Sequence, residues 1–327
     1  MLHFKTKKSL YKKNTVWIMM ILIFVSMMAT TGCNNNQPPE GEDNSIHVYA
    51  SSYVLADLTE KIAGNLVEVE NIIPPGVEPH DFEPSPRQMA ELQKADIFVY
   101  NGAGLDAWVT KLSDTLKVDT LLIDSTQNIK LIVADDSHED EHKDEHKDEH
   151  DGATDPHVWL DPTNTILQGE VIKEALIQLD TKNQDIYNQN FEELKIRLIK
   201  LDQLYRDTLK NAERKHIFVS HAAFGYLAKR YEIEQIAISG LNPQDEPSPK
   251  EMMEIVDKAR DYQIEYILLE PLVQSKYAQT IMNEINAKSL ILHPIDGLTK
   301  EELDRGEDYF SIMEENLEVL KVALGVK

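Results

Sequence analysis

Three histidines and one aspartate stand where a cation could be held: His80 in PPGVEPHDFEPSP, His157 in DPHVWLDP, His221 in IFVSHAAFGY and Asp296 in LILHPIDGLT. Each falls just past a run of β-forming residues, and in open parallel sheets ligands bind beyond the carboxyl ends of the strands. Three neutral imidazoles and one carboxylate make a tetrahedral zinc set, with nitrogen at about 2.0–2.1 Å and oxygen at about 2.0–2.2 Å. Spacing alone does not bring the four together. A single histidine is more often a surface or hydrogen-bonded residue, so the local context carries the weight. Pro74, Pro75 and Pro79 stiffen the loop that presents His80, and His157 sits between Pro156 and the apolar pair Val158-Trp159. His221 follows the apolar run IFVS and precedes small residues at a helix start. His47 and His216 open strands at the opposite end and His293 closes one, which suits structural roles.

A second histidine pattern has a different composition. His138, His142, His146 and His150 recur every fourth position, and ten acids lie between Asp135 and Asp151 with almost no apolar side chain. Such a segment cannot form a core and reads as an exposed loop over residues 135–153. Imidazoles at i and i+4 pair around a cation only when the segment turns helical, and no packing would hold it so. Binding there is expected to be weak, multiple and pH-sensitive, because protonated imidazole cannot ligate.

The amino end reads as a targeting segment: Lys5, Lys7, Lys8, Lys12 and Lys13 precede the apolar run from Val16 to Met28, which ends in small residues. Cys33 is the only cysteine, so no internal disulfide can form. Its position after Ala29-Thr30-Thr31-Gly32 resembles a bacterial lipoprotein signal, with Thr30 where that pattern usually has leucine. The resemblance implies removal of residues 1–32 and lipidation of Cys33. Residues 33–45, rich in Asn, Pro, Gly and acids, read as a flexible tether. The chain holds 33 basic against 57 acidic residues, a net charge of −24, and five of the lysines lie in the leader. Such a surface repels nucleic acid and anionic lipid, so cations are the more natural partner.

Positioning these residues falls to a repeated βα grammar. From Ile46, strand-like IHVYASS, LVEVENII, DIFVYNG and TLLID alternate with helical stretches at Tyr53–Gly64, Pro86–Lys94 and Leu105–Leu116. Beyond Asp161-Pro162, apolar positions from Ile166 to Leu179 fall at helical spacing, and a longer pattern runs from Gln184 to Ala212. The alternation restarts with HIFVS, EQIAIS, YILLE and SLILH between helices, ending in a helix from Glu307 to Leu324. The fold class expected is α/β: two parallel-sheet lobes, 46–183 and 214–327, joined by a long rigid helix over 184–213, with the metal site in the interlobe cleft.

GVEPHDFEPSPRQM, DPHVWLDP, SHAAFGYLAKRY and SGLNPQDEPSP, in this order, resemble the metal-binding substrate-binding proteins of ABC importers, in particular the zinc-specific ZnuA and AdcA type. The similarity runs from Ile46 to the carboxyl end. It implies that His80, His157 and His221 are ligands and that Asp296 or a water completes the site. It also implies an extracytoplasmic, membrane-anchored monomer that hands Zn(II) to an ABC permease and its ATPase. The manganese branch typically has a glutamate where this chain has His221, and imidazole suits zinc whereas carboxylate-rich sites suit manganese. The His-rich loop is common in the zinc branch as well.

Two other classes compete. A zinc hydrolase also uses three histidines and a water, but the chain has no HExxH helix and no clearly placed general base, and a fourth protein ligand would close the position that water needs. A surface adhesin is compatible with display outside the cell, yet nothing in the sequence demands it. Glu270, at the end of YILLE, reads equally as a partner orienting a ligand histidine or as a solvated acid. Trp159 and Phe224 read as packing residues, and Asp81 as a cap or acceptor.

Overall fold

The computed structural model describes residues 45–112, 116–117, 119–133 and 153–327. Cys33, the leader, the tether and His138, His142, His146 and His150 lie outside the described residues. None of the described helices is long and apolar enough to cross a membrane.

The first sheet is built from β1 (Ile46–Ala50), β2 (Val67–Asn71), β3 (Ile97–Tyr100) and β4 (Leu121–Asp124), with helices α1 (Tyr53–Ala63) and α2 (Pro86–Glu91) as crossovers. Its order is β2-β1-β3-β4, and every pairing is parallel, with Ile46 opposite Val67, Val48 opposite Ile97 and Ile97 opposite Leu121. Two helices follow, α3 (Pro162–Leu179) and α4 (Gln184–Leu209).

The second sheet comprises β5 (His216–His221), β6 (Glu234–Ser239), β7 (Tyr266–Leu269) and β8 (Lys288–Ile291). Its helices are α5 (Gly225–Arg230), α6 (Pro249–Asp261), α7 (Lys276–Ile285), α8 (Lys300–Arg305) and α9 (Tyr309–Leu324). The order β6-β5-β7-β8 repeats that of the first sheet, again all parallel. The two-lobed α/β architecture expected from the strand and helix alternation is present.

Helix α4 runs 26 residues, which is about 39 Å at 1.5 Å per residue. Its buried side chains, Tyr187, Phe191, Leu194, Leu198, Leu201, Tyr205 and Leu209, recur every three or four positions and so form one stripe. Near its start Asn190 donates to the Ile62 carbonyl of α1 at 2.9 Å, and near its end the Tyr205 hydroxyl donates to the Met313 carbonyl of α9 at 2.5 Å. The helix therefore ties elements of both lobes. Its stripe belongs to an apolar core that includes Val48 and Val99 of the first sheet and Val219 and Leu268 of the second. Outer faces are covered by two smaller clusters, one around Phe98 and Trp108, the other around Phe218, Ile255 and Ile281.

Two local expectations are corrected. In place of a helix over Leu105–Leu116, the described residues form one 3-10 turn, Ala107–Lys111. Leu105, Trp108, Val109 and Leu112 are buried at helix-like spacing. Asp106, however, turns back to accept the N–H groups of Asn101 and Gly102 at 2.7 and 3.3 Å instead of capping a helix. Helix α8 was not anticipated; Thr299 and Glu302 form a reciprocal capping box at its start.

Candidate metal centre

His80 is the middle residue of a 3-10 turn, Pro79–Asp81, that follows the proline-rich loop after β2. Pro79 presets the first turn position, and the Glu78 side chain accepts the His80 N–H at 3.3 Å. His157 precedes the turn Val158–Leu160 at the start of α3. His221 is the last residue of β5. These three segments bring the imidazoles together: His157 Nε2 lies 3.1 Å from His80 Nε2 and 3.3 Å from His221 Nε2. Two nitrogens bound to one tetrahedral zinc at about 2.05 Å stand about 3.3 Å apart, so the spacing matches two edges of such a coordination sphere. Ligand atoms of the three histidines all lie within 4.8 Å of one another. His157 and His221 have no exposed surface, and His80 is half-buried.

Carboxylates behind the rings set which nitrogen faces inward. Asp155 Oδ1 lies 2.9 Å from His157 Nδ1 and also accepts the His157 backbone N–H at 2.9 Å. Glu270 Oε1 lies 2.6 Å from His221 Nδ1, and the Ser220 hydroxyl donates to the same oxygen. With the proton held on Nδ1, Nε2 keeps its lone pair for a cation, and the added carboxylate makes the imidazole a stronger ligand. Of the two readings open for Glu270, the structure shows the orienting partner, 6% exposed.

Protonation follows from burial and these neighbours. Burial, with the charges that would fall on His157 and His221, pushes His80 down to about 2, and burial holds His157 well below the usual imidazole range. Both are therefore neutral at pH 7 and ready to ligate. Burial also lowers the proton affinity of His221, but the charge and hydrogen bond of Glu270 outweigh it and raise this imidazole. Burial raises Asp155 to about 7.

Asp296, 2% exposed, is placed with a different set. Its carboxylate joins Glu78 and His80 in a second group whose ligand atoms all lie within 4.8 Å of one another. Burial, then the charges of Glu78 and Glu270, raise Asp296 well above the usual carboxylate range. His80 is thus shared by a nitrogen-rich group and an oxygen-rich one.

Other sequence candidates fall elsewhere. His47 and His216 lie at the amino ends of β1 and β5, paired with Glu68 and Glu234 at 3.3 and 3.2 Å. His293 lies beyond β8 and is tied to Asn316, whose side chain accepts its N–H at 2.8 Å. Trp159 and Phe224 are buried in the core, and Asp81 is exposed. Sequence reasoning missed Glu78 and Asp155, although each stands two residues before a singled-out histidine with a proline between.

A family model described as zinc-uptake complex component A, periplasmic (ZnuA), matches residues 48–323. The high-affinity zinc uptake system protein ZnuA of Bacillus subtilis is 36% identical over 316 residues, covering 95% of this chain and 98% of that protein. The zinc-binding lipoprotein AdcA of Streptococcus pneumoniae is 34% identical over 305 residues, and there the match spans 93% of this chain but 60% of the relative. Among solved structures, the Zn(II)-bound ZnuA-like domain of that AdcA superposes with a TM-score of 0.72 at 33% identity, covering 86% of this chain and 99% of that one.

Proposed function

The chain belongs to the ZnuA family of zinc-uptake components, and from this we infer that it is the extracytoplasmic receptor that binds Zn(II) and delivers it to an ABC permease. The observation that carries this reading is the meeting of three Nε2 atoms, two of them on fully buried imidazoles, at the spacing of a zinc coordination sphere. His80, His157 and His221 are the proposed ligands, with Asp296 as the fourth donor. Zinc is cargo here, so the site must hold it firmly and release it when the lobes part. Residues from the two lobes supply opposite sides of the site: His80 and His157 come from the first, His221 and Asp296 from the second. Separating the lobes would divide the donor set and weaken the grip.

The predicted Cys33 anchor fits a receptor held at the outer face of a cell membrane, and the acidic surface suits a cationic cargo. Lipidation of Cys33 is part of the proposal, supported by the signal-like flanks and by the lipoprotein name of the AdcA relative. His138, His142, His146 and His150 are assigned to weak collection of zinc.

Elemental analysis of the purified protein, followed by competition between Zn2+ and Mn2+, tests the reading. One tightly held zinc that a large excess of manganese fails to displace is expected. Preferential retention of manganese, or no stoichiometric metal, would reject it.

A further inference from the structure

We propose that Asn101 is a positioning residue of the metal centre, the first-lobe counterpart of Glu270, and that it anchors the turn on which His157 is carried. The proposal rests on the zinc-receptor reading and deepens it by adding a residue outside the ligand set.

The correspondence comes from the two sheets. β3 pairs with β1 by placing Phe98 opposite Tyr49 and Val99 opposite Ala50; β7 pairs with β5 by placing Ile267 opposite Phe218 and Leu268 opposite Val219. Both of these middle strands are four residues long, Ile97–Tyr100 and Tyr266–Leu269, so Asn101 and Glu270 are each the first residue beyond. The strand order reverses between β1 and β3, and again between β5 and β7, and in open sheets the crevice at that point holds ligands. In the second lobe the crevice presents Glu270, which orients His221 through Nδ1. In the first lobe it presents Asn101, which has no exposed surface.

Asn101 reaches a ligand histidine through the backbone. Its Nδ2 donates to the Pro156 carbonyl at 2.9 Å, and the same oxygen accepts the Val158 N–H at 2.8 Å. His157, at φ −81° and ψ 44°, is the middle residue of this inverse γ-turn. Where the turn stands therefore decides where the imidazole stands. The carbonyl one residue earlier, that of Asp155, accepts the Tyr226 hydroxyl of the second lobe at 3.1 Å. Two consecutive carbonyls ahead of His157 are thus gripped from opposite lobes. The difference between the counterparts follows from what each faces: Glu270 meets a ring N–H, whereas a carboxylate at 101 would set acceptor against acceptor at the Pro156 carbonyl.

The Asn101 amide is itself aimed. Gln168 Nε2 donates to its Oδ1 at 3.2 Å and to the Ser125 hydroxyl at 3.0 Å, which leaves Nδ2 for Pro156. Gln168 is fully buried, and its own Oε1 has no partner among the described residues, so the side chain is placed for its donors. Asp106, by accepting the N–H groups of Asn101 and Gly102, closes the turn that presents the amide. The backward turn of Asp106 that replaces a helix after Leu105 thus shapes the mount of Asn101.

The test compares the parent with Asn101→Leu, Gln168→Met and Tyr187→Phe. Leucine has about the volume of asparagine but no donor, and methionine removes the donors that aim Asn101. Tyr187→Phe removes a buried hydroxyl that donates to Asp180 at 2.8 Å, between α3 and α4, and controls for lost stability alone. Zinc affinity is measured by competition with a chelator, and Co2+ is bound in place of zinc to read coordination geometry from its visible d–d bands. Asn101→Leu is expected to weaken zinc binding roughly 10- to 100-fold and to lower the intensity of the Co2+ bands as the tetrahedral set loosens. Gln168→Met should move both readouts the same way by less, and Tyr187→Phe should lower Tm alone. Parent-like affinity and bands in Asn101→Leu would overturn the proposal, as would an equal change in Tyr187→Phe. Should Asn101→Leu not fold, Gln168→Met decides: weakened bands uphold the proposal and parent-like bands overturn it. Failure of the parent to hold zinc would instead reject the receptor reading itself.

Discussion

Asp155 Oδ1 sits 2.9 Å from His157 Nδ1 and 2.9 Å from the His157 backbone nitrogen, so one carboxylate oxygen fixes both the ring and the chain of a fully buried imidazole. Asp155 is itself locked: the Tyr226 hydroxyl donates to its carbonyl at 3.1 Å, and a Cβ on Gly225 would stand 2.5 Å from its Oδ2. The orientation of a residue from the first lobe is therefore set against the first turn of α5 in the second.

Asp155→Asn keeps the size but can present its amide nitrogen to Nδ1, which favours the wrong tautomer. Zinc affinity is expected to fall 10- to 100-fold, read by competition with a chromophoric chelator. Unchanged affinity would show that His157 does not need the carboxylate.

His221 is the ligand imidazole that gives the site a pH dependence. Its raised proton affinity, caused by Glu270, means that the metal-free protein carries a proton there above the ordinary imidazole range, whereas His80 and His157 are already neutral. In the metal-free protein this pair stabilises the fold fully below the unfolded imidazole value of about 6.5 and loses that contribution as pH rises through the raised value. Zinc must expel that proton, so its affinity climbs with pH until His221 is neutral. Calorimetry at pH 7 in two buffers of different ionisation enthalpy is expected to show proton release on zinc binding, reduced in Glu270→Gln. No release in the parent would contradict the assignment.

Trp159 links the two halves of the site, since its indole N–H donates to the Pro294 carbonyl at 2.7 Å, two residues before Asp296. Replacing it by phenylalanine leaves that buried carbonyl unpaired. The expected cost is about 1–3 kcal/mol of stability, or about 2–4 °C of Tm for each kcal/mol. An unaltered Tm would mean that the carbonyl finds another donor.

Much of this was legible beforehand, for reasons that differ by residue. The strands of both sheets announce themselves as short β-rich runs between helical stretches, and the stripe from Phe191 to Leu209 has helical period. His80, His157 and His221 stand out because histidine is scarce and each is held by prolines or by a strand end. Glu78 and Asp155 do not, because two acids among 57 carry no periodic signal, and their value lies in contacts made only by the folded loops. The stretch after Leu105 misleads because its apolar spacing mimics a helix while Asp106 binds backward to Asn101. The turn at Thr299 could have been read, since Thr-Lys-Glu-Glu has the spacing of a capping box.

The two histidine patterns should separate by deletion. Removing residues 137–150 takes away His138, His142, His146 and His150 but none of the convergent imidazoles. Isothermal titration is expected to lose the weak equivalents and retain one tight zinc. Disappearance of the tight site would place part of it in the removed segment.

The most direct measurement is a zinc titration of the chain lacking residues 137–150, with and without the triple replacement His80→Ala, His157→Ala and His221→Ala. Retention of one tight equivalent by the first, and its weakening by orders of magnitude in the second, is the predicted result. Equal, tight binding by both would contradict the claim that these three imidazoles hold the metal.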